Sequence, residues 1–346
     1  MILNRNRKNL LFLFVLFVSS LYLSGCNGRE KGKVSSTINI ALINDIDSFN
    51  PVISTDITAG AVQDLIYPAL TSLNWNDSVG IAEYTPLMAT NWMYDSIKNT
   101  ITFKIRSGLV WSDGRKLGVD DVLYTFRLYA DPAAASPRQF LFEELIKDKK
   151  GNIDWNRSFI KLSDSSFMLC FSRQVQNPLQ LSLLKVVPDG YFGNDTKKLR
   201  ENPNNFTPLS AGAYKLEKWE PNQTITLVKN EKFQLGNHSK IEKIVFKILP
   251  DYTTRLTALK TGEIDFMEGI KPEDADALVK SYPGINLLPL SGRNYEYVCW
   301  SNIDHDIYRK TKKVKPHPLF GDKGVRQALA MAIDRHEMIE GFLQGY

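Results

Sequence analysis

The sequence is poor in the residues and motifs that enzymes commonly use at their active sites. Its 346 residues include three cysteines and four histidines. It contains no G-x-S-x-G, H-E-x-x-H, C-x-x-C, P-loop or G-x-G-x-x-G pattern. These absences argue against an α/β-type serine hydrolase, a zinc peptidase, a thiol-disulfide oxidoreductase and a nucleotide-binding enzyme. No cofactor or metal is implied by the residues that remain.

Two acidic groups could carry chemistry, but each has a simpler interpretation. Asp304, His305 and Asp306 could hold a metal, although such a tripeptide is more often a solvated turn. Asp120 and Asp121 could form an acid–base pair, but adjacent residues on a helix point in different directions. We expect these two carboxylates to complement a helix N-terminus instead. The sequence therefore predicts a protein that is not an enzyme.

The chain has little net charge. It carries 43 basic and 38 acidic residues, a formal charge of +5. Arg5, Arg7 and Lys8 precede Cys26 and no acidic residue does, so the chain from Cys26 onward has 40 basic and 38 acidic residues. With no concentrated basic stripe in view, this balance does not predict a nucleic-acid partner.

The long apolar run of the sequence lies at the N-terminus. "NRNRK" precedes "LLFLFVLFVSSLYL", which is short for a membrane span and has the charge order of a signal peptide. The run ends in "LSGC", which resembles the lipobox of bacterial lipoproteins and implies lipidation of Cys26. We expect residues 1–25 to be a signal peptide, residues 26–37 a flexible tether, and the protein to be lipid-anchored at the periplasmic or extracellular face of a bacterial membrane. A plain signal anchor with an incidental cysteine is the alternative.

Cys170 and Cys299 both lie in apolar, strand-like runs, "FMLCF" and "YVCWS". An extracytoplasmic compartment would permit a disulfide between them. Nothing in the sequence brings them together, so two separately buried thiols is the interpretation that we prefer.

Hydrophobic periodicity and capping residues predict a chain of mixed strands and helices. Helices are predicted after Asp56, Asp251 and Pro272, and also at Asp120, where "SDG" supplies the preceding turn. A long helix is predicted over residues 323–345, with Val325, Leu329, Ala332 and Ile333 facing inward. The strands are predicted in "INIALIND", "LTSLNW", "NTITFKI", "FIKLSDSSFMLCF" as a hairpin, "KIVFKILP", "EIDFMEGI", "INLLPL" and "RNYEYVCWSN".

Several aromatic residues are spread along the chain. Aromatic residues in a core are the ordinary interpretation, but a cleft that accepts varied ligand side chains would also use them. This signal is weak by itself. The residues are Trp75, Trp92, Trp111, Trp219, Tyr295, Tyr297 and Trp300.

Five segments of the sequence form a specific pattern by their order behind the lipobox. One is "IRSGLVWSDGRKLGVDDVLYTF", and the others are "DIDSFNPVIST", "PLSAGAYKLEKWEPNQTITLVKNEKF", "IEKIVFKILPDYTTRLTALKTGEIDF" and "VRQALAMAIDRHEMIEGFLQG". This pattern resembles that of family 5 extracellular solute-binding proteins, the oligopeptide and dipeptide receptors of ATP-driven importers. The resemblance assigns the first of these segments, the family's hallmark, to the scaffold of a smaller lobe.

The chain also departs from the family pattern. Ala213 stands where the family's "G-T-G-P-Y" has proline, and Ser301 takes a place where asparagine is common. Family members continue well beyond the "AIDR" helix, so we expect the last lobe to be incomplete here. A truncated chain, one piece of a split receptor and a nonfunctional fragment are all compatible with this departure.

The resemblance implies an α/β (mixed α+β) fold of the periplasmic-binding-protein class II, or cluster C, type. Two to three lobes with mixed sheets are expected. Residues 38–55 and 205–266 would form lobe I, residues 56–204 an inserted lobe II, and residues 267–346 the start of lobe III.

The function implied is a substrate-binding lipoprotein of an ABC importer that closes on a peptide in an interlobe cleft. The expected partners are a peptide-class ligand, the permease subunits and the membrane, and the protein is expected to be a monomer. A nickel chelate, an oligosaccharide or an opine is the alternative ligand, and a lipoprotein hydrolase is a less favoured function.

The expected ligand contacts follow from the same resemblance. Asp45 could pair with a ligand amine, or it could be a solvated loop acid. The residues that we expect to line the cleft are Asn44, Asp45, Ile46, Asp47, Gly212, Ala213, Tyr214, Tyr295, Tyr297, Trp300 and Asn302.

Overall fold

The computed structural model describes residues 36–289 and 297–343. These residues form two compact units. Of the described residues, unit 1 contains those up to Arg255 together with Glu263–Phe266, and unit 2 contains Leu256–Gly262 and those from Met267 onward.

The strands of the described residues all lie in unit 1, where they form two four-stranded sheets and a two-stranded hairpin. The β1 sheet has the order β1-β10-β9-β8, the hairpin pairs β2 with β3, and the β5 sheet has the order β4-β5-β7-β6. Their bounds are β1 Thr37–Leu42, β2 Thr71–Asn76, β3 Ile81–Pro86, β4 Ala89–Asp95, β5 Thr100–Ile105, β6 Phe159–Ser163, β7 Ser166–Cys170, β8 Tyr214–Glu220, β9 Thr224–Lys229 and β10 Lys243–Ile248.

The helices are distributed over both units. Short 3-10 helices connect the longer elements in unit 1, and a π-helical turn, Ile339–Leu343, follows the last α-helix. The α-helices are α1 Ile57–Ile66, α2 Val119–Ala130, α3 Trp155–Ser158, α4 Tyr252–Thr261, α5 Pro272–Ser281, α6 His305–Thr311, α7 Lys323–Met331 and α8 Arg335–Met338.

The β1 sheet joins segments that are far apart in sequence. β1 and β10 run parallel with Leu42 opposite Ile248. β9 runs antiparallel to β10 and to β8, with Thr224 opposite Lys247 and Glu220. The carboxyl ends of β1, β8 and β10 therefore meet at one edge of the sheet, together with the start of β9.

The β5 sheet and α2 pack on an aromatic core. Phe103 of β5 stacks on Phe167 of β7 with ring centroids 5.3 Å apart, and Phe126 of α2 meets Phe167 edge to face at 6.2 Å. These three side chains are fully buried. The spacing of apolar residues in the sequence correctly predicted that these elements each turn one face toward a core.

The turn before α2 has the geometry that its sequence predicts. Gly114 has a φ of 98°, which favours glycine, and its N–H donates to Trp111 O at 2.8 Å. Asp120 and Asp121 occupy the first turn of α2, as expected. Asp120 is exposed and pairs with Lys161 at 2.9 Å.

Asp121 has a different role from its neighbour, because it is buried and accepts three N–H donors. Trp111 Nε1 lies 3.1 Å from Asp121 Oδ1, Asp189 N lies 2.9 Å from the same oxygen, and Gly118 N lies 2.7 Å from Oδ2. Burial raises the pKa of Asp121 against the opposing effect of these donors. The two aspartates thus do not act as a pair.

Two helices begin with the same local arrangement. Asp251 Oδ1 accepts from Thr254 N at 2.7 Å, and Arg255 Nη1 donates to Leu249 O and Pro250 O. Asp322 Oδ1 likewise accepts from Val325 N at 3.1 Å, while Arg326 Nη1 donates to Phe320 O and Gly321 O. An N-capping aspartate followed four residues later by arginine therefore fixes both the helix start and the chain that enters it. The entering residues are Leu249, Pro250, Phe320 and Gly321.

The predicted strand "EIDFMEGI" is wrong. Phe266 makes an isolated parallel bridge with Ile40, and the N–H groups of Asp265 and Phe266 both donate to Asn39 O. Asp265 Oδ2 accepts from Asn39 N at 2.7 Å. The carboxylate therefore occupies the backbone N–H that a longer strand pairing with β1 would need. Gly269, with a φ of 71°, then redirects the chain.

Two predicted features of unit 2 are also wrong for the residues that the structure describes. Residues 285–289 and 297–302 form no strand, and the rest of these two predicted strands lies outside the described residues. The predicted long helix ends at Met331, because Asp334 caps a new helix through Glu337 N at 2.9 Å. Leu329 and Ile333, expected to face inward, are exposed.

Cys170 and Cys299 are both free thiols, and Cys299 is exposed rather than buried as expected. Cys26 lies outside the described residues. Across residues 36–289 and 297–343, we find no helix with the length and apolarity that a membrane crossing requires.

Candidate functional site

The loop that leaves β1 is the strongest candidate site in unit 1. This β1 exit loop, residues 43–56, connects β1 to α1 at the edge where the carboxyl ends of β1, β8 and β10 meet. It contains four residues predicted to contact ligand: Asn44, Asp45, Ile46 and Asp47.

Asp45 fixes the exit loop to the turn between β8 and β9. Its Oδ1 accepts from Trp219 Nε1 at 3.1 Å and from Ile46 N at 2.8 Å, and its Oδ2 accepts from Asn222 N at 2.7 Å. Three N–H donors of the protein itself therefore occupy this carboxylate, and hydrogen bonds to an ionised group are strong ones. The geometry therefore favours a structural role for Asp45 over either role expected from the sequence.

Aromatic packing supports this contact. Phe206 stacks on Trp219 with ring centroids 5.5 Å apart, and Phe49 meets Trp219 edge to face at 5.7 Å. Phe49 is fully buried. The indole that donates to Asp45 is thus held on two sides by rings from the exit loop and from the segment before β8.

Asn44 and Asp47, two further polar residues of the exit loop, bond within it or to the start of α1. Asn44 Nδ2 donates to Asp56, the N-cap of α1, and Thr58 Oγ1 donates to Asn44 Oδ1 at 3.1 Å. Asp47 accepts from Ser54 Oγ at 2.6 Å. These bonds hold both ends of the loop in one conformation.

Buried amides anchor the middle of the loop. Asn50 Nδ2 donates to Asn205 Oδ1 at 2.9 Å, and Phe49 N donates to Asn205 O at 2.9 Å. Asn50 and Asn205 are almost completely buried. The sequence analysis did not find Asn205, because the two residues are 155 positions apart and no local pattern joins them.

A second segment holds the loop from the α2 side. Ser136 Oγ donates to Val52 O at 2.6 Å, and Arg138 Nη1 donates to Pro51 O and Ser54 O at 3.2 Å each. Sequence reasoning also missed these residues. The loop is therefore attached to three separate parts of unit 1.

The start of the loop nevertheless has an open backbone edge. Within the described part of the chain, the N–H groups of Ile43, Asn44, Asp45 and Asp47 make no hydrogen bond, and neither do the carbonyls of Ile43 and Asn44. Ile43 is 58% exposed. A fixed strand exit with unused donors and acceptors is suited to bind another extended backbone.

The predicted residues before β8 occupy a different place. A Cβ on Gly212 would lie 2.3 Å from Leu65 O and 2.8 Å from Ile66 O, so Gly212 lets the chain pass close to the end of α1. The buried Tyr214 hydroxyl lies 2.7 Å from Ser239 Oγ and 3.0 Å from Ile241 O. These contacts use Gly212 and Tyr214 inside unit 1.

The sheet separates the two groups. Tyr214 begins β8, whereas Trp219, which contacts Asp45, lies near its end. Five strand residues span about 17 Å. The structure therefore does not bring Asn44–Asp47 and Gly212–Tyr214 into one cluster; Ala213, beside Tyr214, is half-buried.

The remaining predicted residues lie in unit 2. Tyr297 is exposed, and Trp300 stacks on Phe320 with ring centroids 6.5 Å apart. Asn302 O accepts from His317 N at 3.0 Å. Tyr295 lies outside the described residues.

The acidic tripeptide considered as a metal site has a structural role. Asp304 caps α6 by accepting from Ile307 N at 3.0 Å. Within the described ranges, no group of three or more histidine, cysteine or acidic side chains is placed to hold a metal ion.

Comparison with known sequences identifies a family. The family model "Bacterial extracellular solute-binding proteins, family 5 Middle" matches residues 83–346. The oligopeptide-binding protein AppA of Bacillus subtilis (strain 168) is 25% identical over 360 residues, covering 99% of this chain and 60% of AppA. The chain thus spans little more than half the length of that relative.

Solved structures share the fold. NikZ from Campylobacter jejuni in complex with Ni(L-His) matches with a TM-score of 0.69 and 21% identity, over 90% of this chain and 56% of NikZ. AppA from Bacillus subtilis in complex with a nonapeptide matches with a TM-score of 0.67 and 22% identity, over 89% of this chain and 56% of AppA. The predicted mixed α/β, class II periplasmic-binding-protein fold is confirmed.

Proposed function

The chain belongs to the bacterial extracellular solute-binding proteins of family 5, and from this membership we propose that it is the receptor of an ABC importer for peptide-class ligands. The proposal includes the permease subunits as partners and a lipid on Cys26 as the membrane anchor. Capture of the ligand, without chemical conversion, is its activity.

The observation that carries the peptide proposal is the open backbone edge of the β1 exit loop. Backbone pairing gives affinity that does not depend on the side chains of the peptide. The anchors at Asp45, Asn205 and Arg138 hold this edge in place before a ligand arrives. Such preorganisation lowers the entropy cost of binding.

The proposed ligand site starts at Ile43–Asp47. The roles of Gly212 and Tyr214 as contacts are less favoured, because both are engaged within unit 1. Tyr297, Trp300 and Asn302 remain proposed ligand contacts. The lobe boundaries predicted from the sequence also stay part of the proposal.

The alternative ligand is a metal chelate, because NikZ shares the fold and was solved with Ni(L-His). A small chelate needs ligating or charged side chains around it, whereas a peptide needs an extended backbone partner. The open edge of the exit loop favours the peptide.

Hydrogen exchange and calorimetry test the proposal together. A pool of synthetic di- to nonapeptides is titrated into the full chain, with Ni(L-His) and an opine as separate titrants. Peptide should bind and should slow exchange of the amides of Ile43, Asn44, Asp45 and Asp47, which have no acceptor in the described part of the chain. Binding of a chelate or opine in place of peptides, or peptide binding without protection of this segment, contradicts the proposal.

An Asp45→Ala variant tests the role of the anchor. Loss of the contacts to Trp219 and Asn222 should loosen the loop and raise the peptide Kd about tenfold. Asp77→Ala, in the exposed turn between β2 and β3, removes the same charge elsewhere and should leave the Kd unchanged. Equal Kd values for both variants would remove Asp45 from the binding model.

A further inference from the structure

Unit 2 contains a compact group of cations that the proposed function does not use. Five positive side chains occur within seven consecutive residues, at the end of α6 and in the loop after it. All five residues are exposed. This cationic loop consists of Arg309, Lys310, Lys312, Lys313 and Lys315, with Thr311 and Val314 between them.

The base of the cationic loop is closed by backbone contacts. Asp304 N donates to Lys315 O at 2.8 Å, His317 N donates to Asn302 O at 3.0 Å, and Ile303 bridges Pro316. The chain leaves and returns at one place. The cations therefore lie on a loop whose two ends are held together, and the net charge of the whole sequence does not show this local concentration.

In the part of the chain that the structure describes, none of these five cations forms an ion pair, and Lys312 Nζ lies over the face of Tyr308, 5.7 Å from the ring centroid. Lys161 of unit 1, by contrast, lies between Asp120 and Asp164. The helix macrodipole explains a preference for Arg309 and Lys310 at the end of α6, but the three lysines beyond α6 have no such reason.

We propose that the cationic loop binds the anionic phospholipid headgroups of a membrane surface. Residues 309–315 are all exposed, so an extended anionic surface can reach the cations of this loop. Val314, between two lysines, is 70% exposed, and basic residues interleaved with an apolar one are typical of membrane-interface segments.

The family's extracellular location favours lipid over nucleic acid. A bacterial membrane presents many phosphate anions in one plane, and several lysines that reach it together add their attractions. Docking of this kind would orient unit 2 against the membrane, which goes beyond ligand capture and does not depend on which solute is bound.

Hydrogen exchange of the full chain with vesicles tests the proposal. One set of vesicles contains phosphatidylglycerol and phosphatidylcholine, and the other contains phosphatidylcholine alone. Exchange of the amides of Arg309–Lys315 should be at least about threefold slower with phosphatidylglycerol, and raising the salt should abolish the difference. Equal exchange with both vesicles would overturn the proposal.

Two variants of equal charge provide the control. In the first, each cation of the loop becomes glutamine, and the ratio of exchange rates between the vesicles should fall to about one. In the second, five other exposed lysines without ion pairs in the described ranges become glutamine, and the ratio should stay as in the unchanged chain. Loss of the ratio in both variants would assign the effect to net charge and overturn the proposal. The control lysines are Lys149, Lys150, Lys197, Lys198 and Lys240.

Soluble anions separate lipid from other partners. Glycerol phosphate and polyglutamate are added in place of vesicles. Protection of the loop by either one, without protection by phosphatidylglycerol vesicles, would show a phosphate or acidic-protein site and contradict the membrane assignment. Peptide binding, measured in the same samples, reports the proposed function independently.

Discussion

Unit 1 and unit 2 differ in how much apolar surface their described residues bury. Unit 1 has a continuous core that includes Phe49, Phe103 and Trp111, all fully buried. In unit 2, α6, α7 and α8 contain no buried residue, and Met331 is 84% exposed. The comparison shows that an amphipathic sequence is sufficient for a helix to be predicted, but not for its apolar face to be covered.

The polar contacts differ in the same direction. The β1 exit loop of unit 1 is attached through buried partners such as Asn205, far away in sequence. In unit 2 the helices are fixed by caps a few residues away, at Asp304, Asp322 and Asp334. Long-range anchoring therefore accompanies the buried core, whereas local capping does not require one.

Truncation of an apolar side chain in each unit should give the largest contrast. Phe103→Ala removes a fully buried ring that stacks on Phe167 and should lower the free energy of unfolding by about 3–5 kcal/mol. Met331→Ala should change it by less than about 0.5 kcal/mol. Urea unfolding followed by circular dichroism measures both.

A large loss for Met331→Ala would show that something covers α7 in solution and would break the contrast between the units. A small loss for Phe103→Ala would show that the core of unit 1 adapts to a cavity. Each result bears on one side of the comparison.

A methyl group added to a glycine should give the next effect. Gly212→Ala places a Cβ against the Leu65 and Ile66 carbonyls, and because backbone cannot move aside as a side chain can, we expect a loss of about 3 kcal/mol. Gly284→Ala in unit 2 meets no atom within 4 Å and should be nearly neutral. The shift of the urea midpoint in each variant is the measurement.

Equal midpoints for the two glycine variants would mean that α1 and the chain before β8 separate easily. The close approach at Gly212 would then not contribute to the stability of unit 1.

Replacement of adjacent aspartates sharpens the comparison within unit 1. Asp121→Ala leaves three N–H groups without their acceptor and should cost about 2 kcal/mol. Asp120→Ala removes an exposed ion pair with Lys161 and should cost less than about 1 kcal/mol. Chemical unfolding at neutral pH compares the two.

The pH dependence of the Asp121→Ala loss has a definite sign. Burial raises the folded pKa of Asp121 above its unfolded value, so folding favours the protonated form. The contribution of Asp121 to stability is then fully present below the unfolded pKa and declines as the pH rises through the folded pKa. The loss should therefore be greater in mild acid than at neutral pH; a loss that grows with pH would show that the three donors outweigh burial.

Much of unit 1 could be predicted from the sequence because its signals are local. Asp56 and Asp251 cap the helices that they were predicted to cap, and Gly114 makes the predicted turn. Alternation also located β5 and β10 correctly. Each of these signals lies within a few residues of the structure that it determines.

The candidate site was predicted only in part. Its position after β1 came from a family resemblance and stays a prediction. Its anchors, Asn205, Ser136 and Arg138, had no sequence signal, because each acts through a partner more than eighty residues away. Residues 263–270 alternate between apolar and polar as a strand does, but they do not form one. The Asp265 carboxylate accepts the N–H of Asn39 on the adjacent strand β1.

The attachment of the exit loop has a consequence for the order of folding. Asp45 bonds to Trp219, which lies 174 residues later in the chain. β1 likewise pairs with β10, which ends only at Ile248. Closing so long a loop carries an entropy cost that local contacts do not offset, so such pairings form slowly. During synthesis or export the first strand stays unpaired until most of unit 1 has emerged, and the surface proposed to bind ligand is among the last parts to take shape.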